Sequence, residues 1–147
     1  MKKARAIGIN HVALEVADID AALEFYGALF EFELRGRSDS MAFIDLGDQF
    51  MNFTAGRRQA DDDERRFGLV VDDRQPVLDT LEKLGIPLLP GPFKDFLDPW
   101  GNRIELIDYA TIQFSKTPQV LHAMGLENLE KTDAALEELR EKGMAPD

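Results

Sequence analysis

The chain repeats one pattern of strand and amphipathic helix in its two halves. The first half opens with INHVALEV, in which apolar and polar side chains alternate, and continues into the helical stretch DIDAALEFYGALF. The second half opens with RFGLVVDD and continues into RQPVLDTLEKLG, with Pro76 near the helix start and Gly85 at its end. Because an internal repeat restricts the fold more than any single segment does, we predict two similar structural units.

Short extended segments follow each predicted helix. They read EFELRGR, MAFIDLG and QFMNFTAG in the first half, and IPLLPGP, FKDFLD and RIELIDY in the second. The repeat therefore predicts a strand, a helix and three strands, in that order, twice. The charged stretch GRRQADDDERR between the halves predicts a solvated and mobile loop.

The pattern changes after Tyr109. The stretches TPQVLHAMG and LEKTDAALEELREKG both have helical character. The second has an apolar face formed by Leu129, Ala135, Leu136 and Leu139. We expect this tail to pack on the domain or on a second subunit.

Composition and motifs exclude several classes of function. The 147 residues fit one domain, and the absence of cysteine excludes a disulfide scaffold, a thiolate metal site and a cysteine nucleophile. The net charge of −11 argues against a nucleic-acid partner and permits a cationic ligand. No signal-peptide pattern or membrane-length apolar run is present, so we expect a cytoplasmic protein without a membrane partner. The sequence also lacks the motifs of phosphoryl transfer, dinucleotide chemistry and serine hydrolysis.

The two halves, the stretch LGDQFMNF and the closing DPWGNRIEL resemble the vicinal oxygen chelate superfamily, which includes glyoxalases, dioxygenases and bleomycin resistance proteins. The resemblance covers about residues 8–109. It implies an α+β fold in which two βαβββ modules, about 8–55 and 65–109, form a curved mixed sheet around a cavity. Residues 110–147 then form a helical C-terminal extension. The resemblance also implies a small-molecule ligand and a homodimer.

The resemblance assigns up to four inward side chains to a divalent metal. The first ligand falls on His11 and the fourth on Glu105. The second position, typically a glutamate, is Asn52, and the third, typically a histidine, is Arg66. Other registers would place Gln49 or Arg65 there, and neither restores the family's usual set.

Strand parity places Glu105 on the face opposite Ile104 and Leu106. A carboxylate on an inner face needs a cation, which is either a metal or an arginine. An arginine keeps its proton and cannot serve as an ordinary metal ligand, so we expect Arg66 to pair with Glu105. Arg103 shares the parity of Glu105, and we expect it near the cavity mouth.

Other polar and aromatic residues have simpler interpretations. We expect Asp45 and Thr54 to line the cavity, and Trp100 to cap the barrel edge or contact a second subunit. His122 in the tail is expected at the surface.

Two functions of different class follow. In the first, the protein binds a small molecule in its cavity without a metal cofactor, and Asn52, Arg66 and Arg103 contact the ligand. In the alternative, it is a divalent-metal-dependent lyase, isomerase or dioxygenase acting on a substrate with neighbouring oxygens. His11 and Glu105 would then hold Zn, Ni, Mn, Fe or Mg, and Glu105 would also be the catalytic group.

Overall fold

The computed structural model describes residues 3–4 and 9–146, so the expected domain start at residue 8 lies outside the described residues. The first module contains one helix, α1 (Ile19–Leu29), and four strands: β1 (His11–Val16), β2 (Glu33–Arg37), β3 (Met41–Asp45) and β4 (Phe50–Ala55). The strands form a sheet in the order β1-β4-β3-β2, with β1 parallel to β4 and the other pairs antiparallel.

The second module contains helix α2 (Gln75–Lys83) and three strands: β5 (Phe67–Val71), β6 (Asp95–Leu97) and β7 (Arg103–Asp108). They form a separate sheet in the order β5-β7-β6. The α+β class is confirmed, but the second repeat has one strand fewer than predicted. The segment 86–92 is irregular because Pro87, Pro90 and Pro92 have no N–H to donate to a strand ladder.

The predicted alternation of strand faces is present. Leu14 and Val16 of β1, and Ile104 and Leu106 of β7, are buried in one apolar cluster that includes residues of both sheets and both helices. The opposite face of each sheet is turned away from this core. We call the face with His11, Phe43, Asp45, Phe50, Asn52 and Thr54 the first open face, and the face with Gly68, Asp95, Arg103 and Glu105 the second open face.

The tail contains a 3-10 turn (Tyr109–Thr111), α3 (Pro118–Ala123) and α4 (Asp133–Glu141), so both predicted helices are present. Ala135 and Leu139 are buried. Lys131 donates hydrogen bonds to the carbonyls of Tyr109 and Ile112. The partial burial of its ammonium group lowers the pKa of Lys131. The tail therefore packs on the domain. Among the described residues, no helix is long and apolar enough to cross a membrane.

Candidate functional site

His11 lies at the exposed start of edge strand β1. Its ring stacks on Phe50 with centroids 4.6 Å apart, and its Nδ1 is 2.9 Å from Asn10 Oδ1. The first open face therefore begins with an aromatic pair, which Phe43 extends at 6.1 Å from Phe50. The parity predicted for His11 is correct.

Asn52 lies in the middle of the first open face and is almost fully buried. Its Nδ2 donates to Thr54 Oγ1 at 3.3 Å. A cavity of about 300 Å³ opens at the end of this face, and its lining includes Phe43, Asp45 and Phe50 but not Thr54. Asp45 in turn is paired with Arg35 at 3.1 Å. This face thus offers an apolar surface with few free charges.

Glu105 lies on the second open face, as predicted. Arg66, just before β5, places its Nε 3.6 Å from Glu105 Oε1. The two side chains are 32% and 17% exposed, so the contact is partly shielded from water. The expected pairing of Arg66 with Glu105 is therefore present in the structure, while their role towards a ligand stays a prediction.

Asp95 was missed by the sequence interpretation. It lies directly opposite Glu105 across the β6–β7 ladder and is only 2% exposed. Its Oδ2 accepts hydrogen bonds from Arg103 Nε at 2.8 Å and is 2.7 Å from Arg103 Nη2. Its Oδ1 is buried and has no hydrogen-bond partner within the described part of the chain. The alternation in FKDFLD, with Phe96 in the core, was the available signal.

Arg103 shares the face of Glu105, as predicted, but its guanidinium and backbone N–H groups form hydrogen bonds with residues other than Glu105. Besides Asp95, it donates from Nη1 to the carbonyl of Asp63, and its backbone N–H donates to Asp62 Oδ2 at 3.3 Å. The arginine thus holds the linker between the modules against β7. Its predicted contact with a substrate stays a prediction.

Asp98 begins the DPWGN turn and is also buried. Its Oδ1 accepts hydrogen bonds from the backbone N–H groups of Trp100 and Asn102, each at 2.9 Å. Its Oδ2 accepts hydrogen bonds from Tyr26 Oη and Asn102 Nδ2, each at 2.8 Å. Burial, followed by the charge of Asp98, raises the pKa of Tyr26 well above its ordinary value.

The DPWGN turn therefore joins the two modules. Asn102 Nδ2 also donates to the carbonyl of Glu15 in β1 at 2.9 Å. Trp100 is partly buried and meets Phe25 of α1 edge to face at 6.3 Å. This position agrees with a cap over the edge of the core.

The linker predicted as a mobile loop is tied to this turn at several points. Arg57, whose side chain is 5% exposed, donates to Asn102 Oδ1 and to the carbonyl of Ala60. The N–H of Asp62 donates to the carbonyl of Gly101 at 2.7 Å. Burial alone would raise the pKa of Asp62, but hydrogen bonds from Arg65 and the Arg103 N–H outweigh it and lower that pKa.

The residues that the resemblance assigns to a metal do not fit one here. Arg66 stands at the position that the resemblance gives to the third ligand, and its Nε lies 3.6 Å from Glu105 Oε1. Across residues 3–4 and 9–146, no group of three or more His, Cys, Asp or Glu side chains could hold a metal ion. A guanidinium beside Glu105 also repels a divalent cation. The ligand roles of His11 and Glu105 stay predictions.

The family is decided by comparison with known sequences. The sequence profile of the glyoxalase/bleomycin resistance protein/dioxygenase superfamily matches residues 8–106, more than half of the chain. The chain belongs to this superfamily. The predicted resemblance is therefore confirmed. Glutathione transferase FosA from Serratia marcescens is 26% identical over 110 residues, which cover 67% of this chain and 78% of FosA.

Solved structures of the superfamily have the same fold. Fosfomycin resistance protein FosX from Listeria monocytogenes, in complex with Mn(II) and sulfate, superposes with a TM-score of 0.61 at 15% identity, covering 82% of this chain and 99% of FosX. FosX from Mesorhizobium loti gives 0.59 at 19% identity, with 70% and 92% covered. A possible glyoxalase from Bacillus cereus gives 0.55 at 25% identity, with 69% and 99% covered.

Proposed function

We propose that this superfamily member is a cytoplasmic small-molecule-binding protein in which an arginine–carboxylate pair takes the place of the metal. The observation that carries the proposal is the contact of Arg66 with Glu105 at 3.6 Å. A carboxylate with a guanidinium partner needs no divalent ion, and removal of the partner would leave an uncompensated charge. The ligand would lie on the open faces of the sheets, next to Asn52, Arg66 and Arg103.

A second candidate is metal-dependent chemistry on fosfomycin or on another substrate with neighbouring oxygens. It is favoured by the likeness to FosA and to a FosX structure that contains Mn(II). In that case a metal would polarise the substrate oxygens, and His11 and Glu105 would hold it. Arg66 argues against this candidate because it occupies the position expected of a third ligand.

Fosfomycin turnover and ligand binding separate the two candidates. The protein is incubated with fosfomycin and Mn(II), with and without glutathione, and the phosphorus NMR spectrum is followed. We expect an unchanged spectrum. Small molecules that bind should raise the melting temperature of the protein by the same amount with and without excess chelator. Metal-dependent turnover that is lost in Glu105→Gln would contradict the proposal and favour the enzyme.

We also propose a homodimer, because each module leaves one sheet face uncovered by the core and the superfamily resemblance implies pairing. Sedimentation velocity at micromolar concentration should give the mass of two chains. A monomer over that range would reject the dimer without affecting the proposed ligand chemistry.

A further inference from the structure

We propose that the second open face binds a small organic cation, a guanidinium, amidinium or primary ammonium group, which displaces Arg66 from Glu105 and Asp95. The inference rests on the proposed function and names the ligand class for it. Its basis is the carboxylate pair of Asp95 and Glu105. One oxygen of this pair, Asp95 Oδ1, accepts no hydrogen bond among the described residues, and the counter-ion Arg66 is held only at long distances.

The two carboxylates lie side by side. Asp95 and Glu105 are register partners on neighbouring antiparallel strands, so both point to the same face. Asp95 Oδ1 is buried without a partner among the described residues. A buried acceptor that lacks a donor is destabilising, so this position favours an added N–H group. The cluster as it stands therefore has unfilled capacity for a donor.

The two arginines in the cluster are held very differently. Arg103 makes short contacts to Asp95 Oδ2, at 2.7 and 2.8 Å. Arg66 Nε is 3.6 Å from Glu105 and 3.9 Å from Asp95, and the side chain's one hydrogen bond in the described structure is to the carbonyl of Glu64 at 3.4 Å. These distances exceed those of a charge-assisted hydrogen bond. Arg66 is thus a counter-ion that a better donor can replace.

An aromatic ring stands beside the displaceable cation. The guanidinium carbon of Arg66 lies 5.4 Å from the ring centroid of Phe93, which is 53% exposed. A cation within about 6 Å of such a ring is attracted by its π-face. When Arg66 moves away, two carboxylates and one guanidinium remain, and the incoming cation restores neutrality. The net charge of −11 also favours the approach of a cation.

The probe that tests the inference is benzamidine, an amidinium on a flat ring. Its uncharged isostere benzamide and its anionic counterpart benzoate are the matched controls. Binding to the full chain is measured by calorimetry and by chemical-shift changes in chelator-treated buffer. We expect saturable binding of benzamidine that weakens with salt, and no binding of benzamide or benzoate.

Four variants locate the site. Arg66→Gln removes the internal competitor and should tighten benzamidine binding about tenfold, whereas Glu105→Gln should weaken it at least about tenfold. Phe93→Leu should weaken it about threefold. Glu64→Gln removes an equal charge from the exposed linker nearby and should leave the affinity within about twofold. Circular dichroism establishes that each variant is folded.

The outcomes separate this inference from the proposed function. Equal binding of benzamide, or an unchanged affinity in Arg66→Gln and Glu105→Gln, would overturn the cation site and leave the proposed function standing. Stoichiometric binding of Mn²⁺ that is abolished in Glu105→Gln would overturn both. Tighter binding in Arg66→Gln together with weaker binding in Glu105→Gln supports the inference.

Discussion

Asp95 and Asp98 are separated by two residues and are almost equally buried, at 2% and 4% exposure, yet their surroundings differ. Both oxygens of Asp98 accept two hydrogen bonds each, from groups that belong to both modules. Asp95 uses one oxygen, on Arg103, and its other oxygen has no partner in the described residues. A buried carboxylate whose two oxygens both accept hydrogen bonds is typical of a structural role. A buried carboxylate oxygen without a donor indicates a candidate ligand-binding position.

The largest effect is expected from Asp98→Asn. An amide in place of the carboxylate would turn its NH₂ group towards either the backbone N–H groups of Trp100 and Asn102 or the Nδ2 of Asn102, and all of these are donors. We expect a loss of about 3–5 kcal/mol in the free energy of unfolding, measured by urea denaturation. A loss below about 1 kcal/mol would show that the turn does not hold the modules together.

Tyr26→Phe tests one arm of the same network. It removes the donor to Asp98 Oδ2 and leaves the other three hydrogen bonds in place. The free energy of unfolding should fall by about 2 kcal/mol. The raised pKa of Tyr26 adds a second readout: its contribution to stability is full below the ordinary tyrosine pKa and is lost as the pH rises through the higher folded value. The variant should therefore lose less stability above about pH 10 than the natural protein does.

Asp95→Asn is the matched change at the other aspartate. The amide oxygen can still accept from Arg103, and its NH₂ group takes the position where Oδ1 has no partner. Because Arg103 also loses its charged partner, we expect a cost of about 1–2 kcal/mol, still below that of Asp98→Asn. Equal costs for the two variants in the same urea titration would remove the distinction between structural and available carboxylates.

The smallest effect concerns Asp62, which holds the linker to the DPWGN turn. Because its pKa is lowered in the folded protein, it stabilises the fold above its ordinary pKa, and that contribution is lost as the pH falls through the lower folded value. The stability difference between the natural protein and Asp62→Asn should be constant from about pH 5 to 7 and shrink below about pH 4. A difference that does not vary with pH would contradict the lowered pKa.

Much of this comparison could be predicted from the sequence, and some could not. Period-two alternation is a local property, so it correctly placed Glu105 and Ile104 on different faces of β7. The family resemblance then indicated Arg66 as the partner of Glu105. Asp95 was missed because β6 has only three residues, and its register is set by pairing with β7. The role of Asp98 depends on Tyr26, which is 72 residues away and whose partner no local pattern indicates.

The central claim is that Arg66 takes the place of a metal ligand at Glu105. Calorimetric titration with Zn²⁺, Ni²⁺ and Mn²⁺ tests it in the natural protein and in Arg66→His, which would add an imidazole and remove the cation. We predict no stoichiometric binding to the natural protein and a gain in affinity in the variant. One equivalent of tightly bound metal in the natural protein, abolished by Glu105→Gln, would contradict the claim.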